Sequence, residues 1–518
     1  MNLALSIVGN PLGWKTILDQ EGIPWDQALP FDEREERIAI VATQVSDAGV
    51  RERLRAHIAG GGGIVCSASI FAQLYNVSLR EKEVRYLLPD GFFPAIKLVD
   101  IDRSCGVLET ANALPCEDGS PTAFVGPYGG GHAVVLPFDP ALLAVDYRTS
   151  VRSFLASHRR LPFERVRRVN QGGIRRIVSR SVEILFHSRD LPFIRLSASP
   201  RASSLFCFRV DTDHALPADI ERLENVVSDN GVQTTWFVDV QSQRSRLRQL
   251  GERQYDEIGL HCFDHMYYSS YEQARNDIQV GKEILATDGI QPGGFAAPYG
   301  VWDKAVGKAI EDSGFAYSSE FHFDFDNLPS LPHVDGTTFE TMEVPVHPIS
   351  IGNLRRQGFR SDEMVTYFKE LVEERLASGE PLLLYHHPKD GYESVLAKVF
   401  QLVRELGIPS MTMHNFVRWW KRRAEQPLRA HLDGTTMQIR SAPGGNDVFV
   451  ALTRPDGSVA TSAAKGSVNL DDLPWNVQHA RVRSAVEYKR IRRPNPWIPV
   501  IRVEDFIYKH VRTKIWGK

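Results

Sequence analysis

The sequence predicts a multidomain α/β protein centred on an irregular (β/α) barrel, and three observations carry that expectation. Between residues 204 and 425, short apolar runs alternate with amphipathic stretches seven or eight times. Polar, chemically useful residues gather where those runs end, which is where barrels place their active sites. The flanking texture differs: glycine-punctuated α/β alternation over 1–150, and closely spaced turn signals over 428–480. At 518 residues the chain exceeds an ordinary single domain.

The first element is expected in "MNLALSIVGNPLGWK", an apolar run with no basic n-region, read as a β-strand and not a signal peptide. "RIAIVAT" and "GGGIVCSAS" predict buried strands. The stretch from Val45 to Gly61 between them predicts a helix stopped by glycine. "GPYGGGHAVVLPFDP" predicts a Gly-rich turn feeding another strand. The glycines at 60–63 and 129–131 match no phosphate-binding pattern and are expected in tight turns. Together these elements predict a layered domain with a mostly parallel sheet.

Residues 151–203 are basic and irregular and are expected to form a linker. Barrel strands are then expected in "SLFCFRVD", "TTWFVDV", "EIGLH", "GFAAP", "FAYSSEF", "MEVPVHP", "PLLLYHH" and "PSMTMH". Met364, Phe368 and Leu371 predict one helical stripe; Leu396, Val399, Val403 and Leu406 predict another, closed by Gly407. Asp303 is the expected N-cap of a helix ending before Gly314. A small antiparallel β unit is expected over 428–480.

Net charge is −3, which offers nothing to nucleic acid, and no recognised binding module accompanies the charge that is present. The distribution is uneven. Residues 481–518 hold eleven Lys and Arg against three Asp and Glu, with Trp497, Phe506, Tyr508 and Trp516 among them. Such a basic aromatic tail suits peripheral contact with an anionic membrane, or packing on another domain. Five cysteines without a CxxC pair point to a reducing, cytoplasmic setting. No apolar run approaches the roughly 20 residues that span a bilayer.

Four strand ends converge on chemistry: Asp211, Asp213 and His214; His261 and His265 in "EIGLHCFDH"; the "GFAAPYG" turn; and His386 and His387 in "LLLYHHP". An aspartate after a strand is ordinarily a cap or turn former, and two histidines four apart are ordinarily surface groups. Assembled on one rim they become a donor set. One carboxylate and two imidazoles suit zinc or a similar divalent ion and leave positions open for water and substrate. A second carboxylate beside them can take a proton from water, and a further histidine can protonate a leaving group.

The order of these motifs resembles the NodB-like polysaccharide deacetylases, carbohydrate esterase family 4, over residues 204–420. "FRVDTDH" is similar to the family's Asp pair, "HCFDH" to its H-S/T-x-x-H, "FAAPYG" to its R-x-P-Y-G, and "LLLYHHP" to its terminal histidine strand. The resemblance implies a NodB-type barrel. It also implies a metal held by Asp213, His261 and His265, zinc first, with cobalt and nickel equally able to accept these donors. Asp211 would be the general base, the Tyr299 backbone N–H an oxyanion donor, and His386 or His387 the general acid. Adjacent strand residues face opposite ways, so only one of the two histidines enters the site, with His387 preferred. Pro298 and His347, the latter in "EVPVHP", are the candidate substrate contacts. The N-terminal "AGGGGIVCSAS" and "GGGHAVVLPFDP" resemble flavodoxin-like and glutamine-amidotransferase-like domains, although Cys66 lacks a nucleophile elbow and is expected to be a buried strand residue.

Two departures stand out. Ala296 replaces the arginine of R-x-P-Y-G, the residue that in the family orients the base; Arg209, two residues before Asp211 on the same strand face, is the candidate substitute. Cys262 replaces the usual Ser or Thr. The implied activity is removal of an N-acetyl group from an amino sugar of a surface-glycan precursor, such as an O-antigen intermediate, carried on a nucleotide or lipid. Two alternatives stay open: a carbohydrate-binding protein impaired in catalysis, and a metal amidase acting on a C–N bond outside glycans.

Overall fold

The computed structural model describes residues 1–27, 38–157, 160–200, 204–252, 256–425, 427–440, 447–477 and 503. They form two compact units. One holds the described residues of Met1–Asp146, Val169–Ala202 and Lys421–Arg483; the other holds those of Tyr147–Arg168 and Ser203–Trp420.

The second unit contains the expected barrel sheet. Its strands are β1 (Phe206–Asp211), β2 (Thr234–Asp239), β3 (Glu257–Cys262), β4 (Gly294–Phe295), β5 (Tyr317–Ser318), β6 (Met342–Glu343) and β7 (Leu382–His386). They are ordered β6-β5-β4-β3-β2-β1-β7, all parallel. Strands β1, β2 and β7 are buried at every position, as their unbroken apolar runs predict for a parallel sheet covered on both faces. Helices α1 (Pro217–Asn230), α2 (Tyr271–Thr287), α3 (Lys304–Asp312), α4 (Ser361–Ser378) and α5 (Glu393–Glu405) follow β1, β3, β4, β6 and β7 respectively.

Asp303 caps α3 as expected, accepting from the N–H groups of Ala305 and Val306. Met364, Phe368 and Leu371 are buried on α4, and Leu396, Val399 and Val403 on α5. Leu406 departs from its expected stripe and is 38% exposed, because the helix has ended before it and Gly407 turns the chain at φ 66°. The α5 face meets the sheet through Phe400, whose ring centroid lies 4.9 Å from Phe208 and 6.0 Å from Phe206.

The expected eighth strand, "PSMTMH", does not form. Ser410 makes one isolated bridge to Phe206, and the Thr412 hydroxyl then accepts from the Asn415 N–H, capping a helix over Met413–Ala424. A threonine one residue before an amphipathic run outweighs the β-like composition here. The seven-stranded sheet has β6 and β7 at its two edges. Beyond β6 the chain returns to β7 through the His347 N–H, which donates to the Leu383 carbonyl at 2.9 Å.

In the first unit, parallel strands Trp25–Gln27, Leu5–Val8, Ala39–Ala42, Gly63–Ser67 and Gly131–Leu136 lie side by side in that order. Numbered along the chain this is 2-1-3-4-5, an order common to doubly wound sheets. Two antiparallel strands, Pro121–Tyr128 and Ala113–Pro115, extend it. The helix expected after Val45 runs from Ala48 to Ala59, capped by Asp47. The two glycine clusters serve turns that touch: a Cβ on Gly131 would fall 2.1 Å from the Gly62 carbonyl. Cys66 is fully buried, as expected of a strand residue, and burial drives its thiol pKa far up.

Two boundaries need correction. Residues 151–203 are not a linker. They hold strand Phe163–Arg167, paired with Thr149–Ser153, the helix Gln171–His187 and strand Phe193–Leu196. Ile174, Ile177, Val178, Val182 and Leu185 on that helix are fully buried, a stripe obscured in the sequence by interleaved arginines. One of those arginines, Arg175, is itself buried and paired with Glu21. Nor do residues 428–480 form a separate unit. Ala430, Met437, Ile439, Val450 and Leu452 share one apolar core with Leu3, Leu5, Val134 and Leu185, and Phe193–Leu196 pairs with Phe449–Thr453. The tail over 481–518 lies outside the described residues, save Val503. No helix among the described residues is long and apolar enough to cross a membrane.

Truncating Phe400 to alanine should lower the stability of the barrel unit by about 3–5 kcal/mol. Urea unfolding followed by tryptophan fluorescence will show a transition shifted to lower denaturant.

Candidate active site at the strand ends

Arg209, Asp211 and Asp213 recur at every second position along and just beyond β1, the spacing that keeps side chains on one face of a strand. Arg209 grips Asp211 with a two-pronged fork: Nε to Oδ1 and Nη2 to Oδ2, both 2.7 Å. Its Nη1 donates to the Ser319 carbonyl, and its guanidinium lies 5.2 Å from the Phe237 ring centroid and 5.6 Å from that of Tyr385. Both partners are buried. Burial alone would raise the Asp211 carboxyl, but the charge and hydrogen bonds of Arg209, together with His261 and His387, outweigh it and hold the group below the usual carboxylate range. Ala296, where the family carries its arginine, is fully buried and places no charge near Asp211.

His261 sits at an irregularity. The β2–β3 register pairs Val238 with Leu260 and then Asp239 with Cys262, skipping His261. Such a bulge re-aims one side chain without ending the strand. His261 Nδ1 lies 2.6 Å from the Ala296 carbonyl, an acceptor only, so Nδ1 carries the proton and the Nε2 lone pair is left for another partner. Nε2 faces Asp213 Oδ1 at 4.0 Å.

His265 follows on a loop that α2 holds in place. Asp277 of α2 accepts from the N–H groups of Phe263 and Asp264 and from the Tyr268 hydroxyl. His265 Nε2 lies 3.9 Å from Asp213 Oδ2. Burial, then the neighbouring His261, pushes its pKa down to about 3, so the ring is neutral and able to act as a donor ligand. The Tyr299 ring stands over it, centroids 4.7 Å apart. Tyr299 and Gly300 are both left-handed, at φ 60° and 61°; a Cβ at Gly300 would strike the Phe321 ring.

At the end of β7 the two histidines separate. His387 Nε2 is 3.4 Å from Asp213 Oδ1, and its Nδ1 is 3.3 Å from Asp390 Oδ2. Burial works against its protonated form, but Asp213 and Asp390 prevail and its pKa is raised. His386 is fully buried, and burial lowers its pKa to about 4. Lys389 on the same turn donates from Nζ to Asp213 Oδ2. Asp213 is therefore ringed by three imidazoles and an ammonium.

Both candidate substrate contacts are buried. His347 is buried, with Nδ1 3.0 Å from Asp326 and Nε2 2.8 Å from the Tyr367 hydroxyl; both ring nitrogens are engaged in the fold. Pro298 is buried too, and Tyr299, 40% exposed, is the member of that turn that presents surface. Three participants escaped the sequence reading. Lys389 and Asp390 lie two and three residues past His387, near enough for the spacing to have suggested them. Asp277 carries no local signal, since its partners lie 9 to 14 residues earlier.

The residues present fit a divalent ion. Asp213 Oδ1 and His261 Nε2 are buried, face each other, and make no hydrogen bond among the described residues. Orphaned buried acceptors of this kind call for a cation. His214 brings a further nitrogen, as one donor atom from each of Asp213, His214 and His265 lies within 4.8 Å of the others.

Residues 210–318 match the model of the polysaccharide deacetylase family, a segment holding Asp211, Asp213, His261, His265 and Tyr299. Among solved structures, the chain is similar to one described as a probable polysaccharide deacetylase from Pseudomonas aeruginosa PAO1. That pair is 16% identical over 43% of this chain and 94% of the other, with TM-score 0.38. It is similar to the Puue allantoinase at 16% identity over 43% and 93%, TM-score 0.36. A carbohydrate esterase family 4 pseudoenzyme from Bacillus anthracis aligns at 12% identity over 42% and 66%, TM-score 0.31. A search of curated protein sequences finds no match.

Replacing Arg209 with methionine leaves Asp211 buried without its counter-ion. The variant should lose about 3–5 kcal/mol of stability. Arg209→Lys, which cannot make the fork, should restore only part of it in a thermal melt.

Proposed function

We propose that the barrel unit is a metal-dependent hydrolase that removes an N-acetyl group from an amino sugar. The observation that carries this reading is the assembly on one rim of a base with its own cation, a nitrogen-ringed carboxylate, and a histidine with a carboxylate behind it. The family match over 210–318 supports the same class of reaction.

Asp213, His261 and His265 are the residues that would hold the ion. Such an ion supplies Lewis-acid polarisation of the acetamide carbonyl and makes nearby water more acidic. Asp211, kept ionised by Arg209, takes the proton from the attacking water as its oxygen bonds to the carbonyl carbon. The Tyr299 N–H, on its left-handed turn, steadies the oxygen charge that develops. His387, backed by Asp390, gives its proton to the nitrogen as the C–N bond breaks. Acetate and a free amine result.

The substrate we favour is a surface-glycan precursor on a nucleotide or lipid carrier, with peripheral membrane contact through residues 481–518. The excess of eleven basic over three acidic residues in that tail supports it, as do five free, buried cysteines that suit a reducing compartment. A second reading, a carbohydrate-binding protein impaired in catalysis, is favoured by one observation: the Lys389 ammonium sits on the carboxylate that would bind the ion.

Elemental mass spectrometry on the full chain should find about one divalent ion, lost in His261→Ala. Acetate release should appear with N-acetyl sugars, free or carrier-linked, and not with simple amides or formamides. Asp211→Asn should keep the ion and lose about 10²–10⁴-fold in kcat. Absence of metal after incubation with zinc or cobalt would sink the hydrolase reading.

A further inference from the structure

We propose that Lys389 is a tethered competitor for the metal site: its ammonium holds Asp213 when no ion is bound, and ion uptake proceeds by exchange for it. The inference rests on the metal-site reading above and assigns that site a residue that sets its affinity.

The geometry is asymmetric. Asp213 Oδ1 faces His261 and makes no hydrogen bond, whereas Oδ2 faces His265 and already receives the Lys389 ammonium. An ion held by Asp213, His261 and His265 would share the Asp213 carboxylate with Nζ. Charges of +2 and +1 that close repel strongly even at the effective dielectric of a protein rim. The ammonium has somewhere to go. The Lys389 side chain is 31% exposed, against 4% for Asp213. Its turn, Pro388–Asp390, is anchored by Asp390 to His387 and by the Asp390 carbonyl to Arg355. The backbone can thus stay fixed while the four-carbon stem swings outward.

A buried carboxylate needs a compensating cation, and Lys389 supplies one that departs when a better one arrives. A neutral residue at 389 should therefore do two opposite things: weaken the metal-free protein and tighten metal binding.

The test uses the full chain, stripped with chelator, as wild type, Lys389→Met, Lys389→Gln and Lys389→Arg, with His261→Ala to mark the site. Zinc affinity is read by calorimetry and cobalt binding by its visible absorption. The Met and Gln variants should bind at least tenfold more tightly than wild type, and Arg should bind like wild type. In chelator the Met variant should melt below wild type, and its rise in Tm on adding metal should be larger. Wild-type or weaker affinity in the Met and Gln variants would overturn the proposal while leaving the metal site standing. If no variant, wild type included, binds either ion, both readings fall. Should the Met variant not fold, the Gln variant, which keeps a hydrogen-bonding group without the charge, carries the comparison.

Discussion

Two carboxylates, two residues apart, are carried out of water at the end of one strand. Neither can be buried as a bare anion, and their proximity makes each costlier for the other. Almost everything notable about this rim answers that constraint. Arg209 is placed on the same strand face and spends its whole fork on Asp211. The bulge at His261, the loop bearing His265 and the turn after β7 bring nitrogen to Asp213 from two further strand ends, those of β3 and β7.

The two aspartates are compensated in different styles, and the difference sorts their roles. Asp211 has a permanent partner whose charge cannot be titrated away and whose planar geometry fixes both oxygens. That suits a group required to be an oriented anion in every turnover. Asp213 has no comparable fork. Its neighbours stand 3.4 to 4.0 Å away in three cases, with the lysine closer. Loose, plural compensation suits a group whose true partner comes and goes.

Much of this was legible in the sequence because strand periodicity and motif order are local signals. Asp211, Asp213, His261, His265 and His387 could each be placed at a strand end before any coordinates, and Arg209 could be named as the substitute cation from its two-residue spacing alone. What was not legible depends on distant partners. Asp277 acts across a helix. His347 looked like a strand-end histidine but answers to Asp326 and Tyr367, which only folding brings near. The helix over Gln171–His187 was hidden because its arginines read as linker charge, whereas Arg175 is buried against Glu21. Composition describes residues singly, and burial is a property of pairs.

The division of the chain has a consequence for how the protein is made. The doubly wound unit draws on the first 146 residues, on 169–202, and on strands beyond residue 421, all sharing one apolar core. On the ribosome its early strands emerge long before Phe449–Thr453 exists to pair with Phe193–Leu196. Most of the barrel, whose described residues fall within 147–168 and 203–420, is complete by then. Vectorial synthesis thus imposes an order in which the inserted barrel matures first, while the N-terminal sheet waits with part of its apolar surface uncovered.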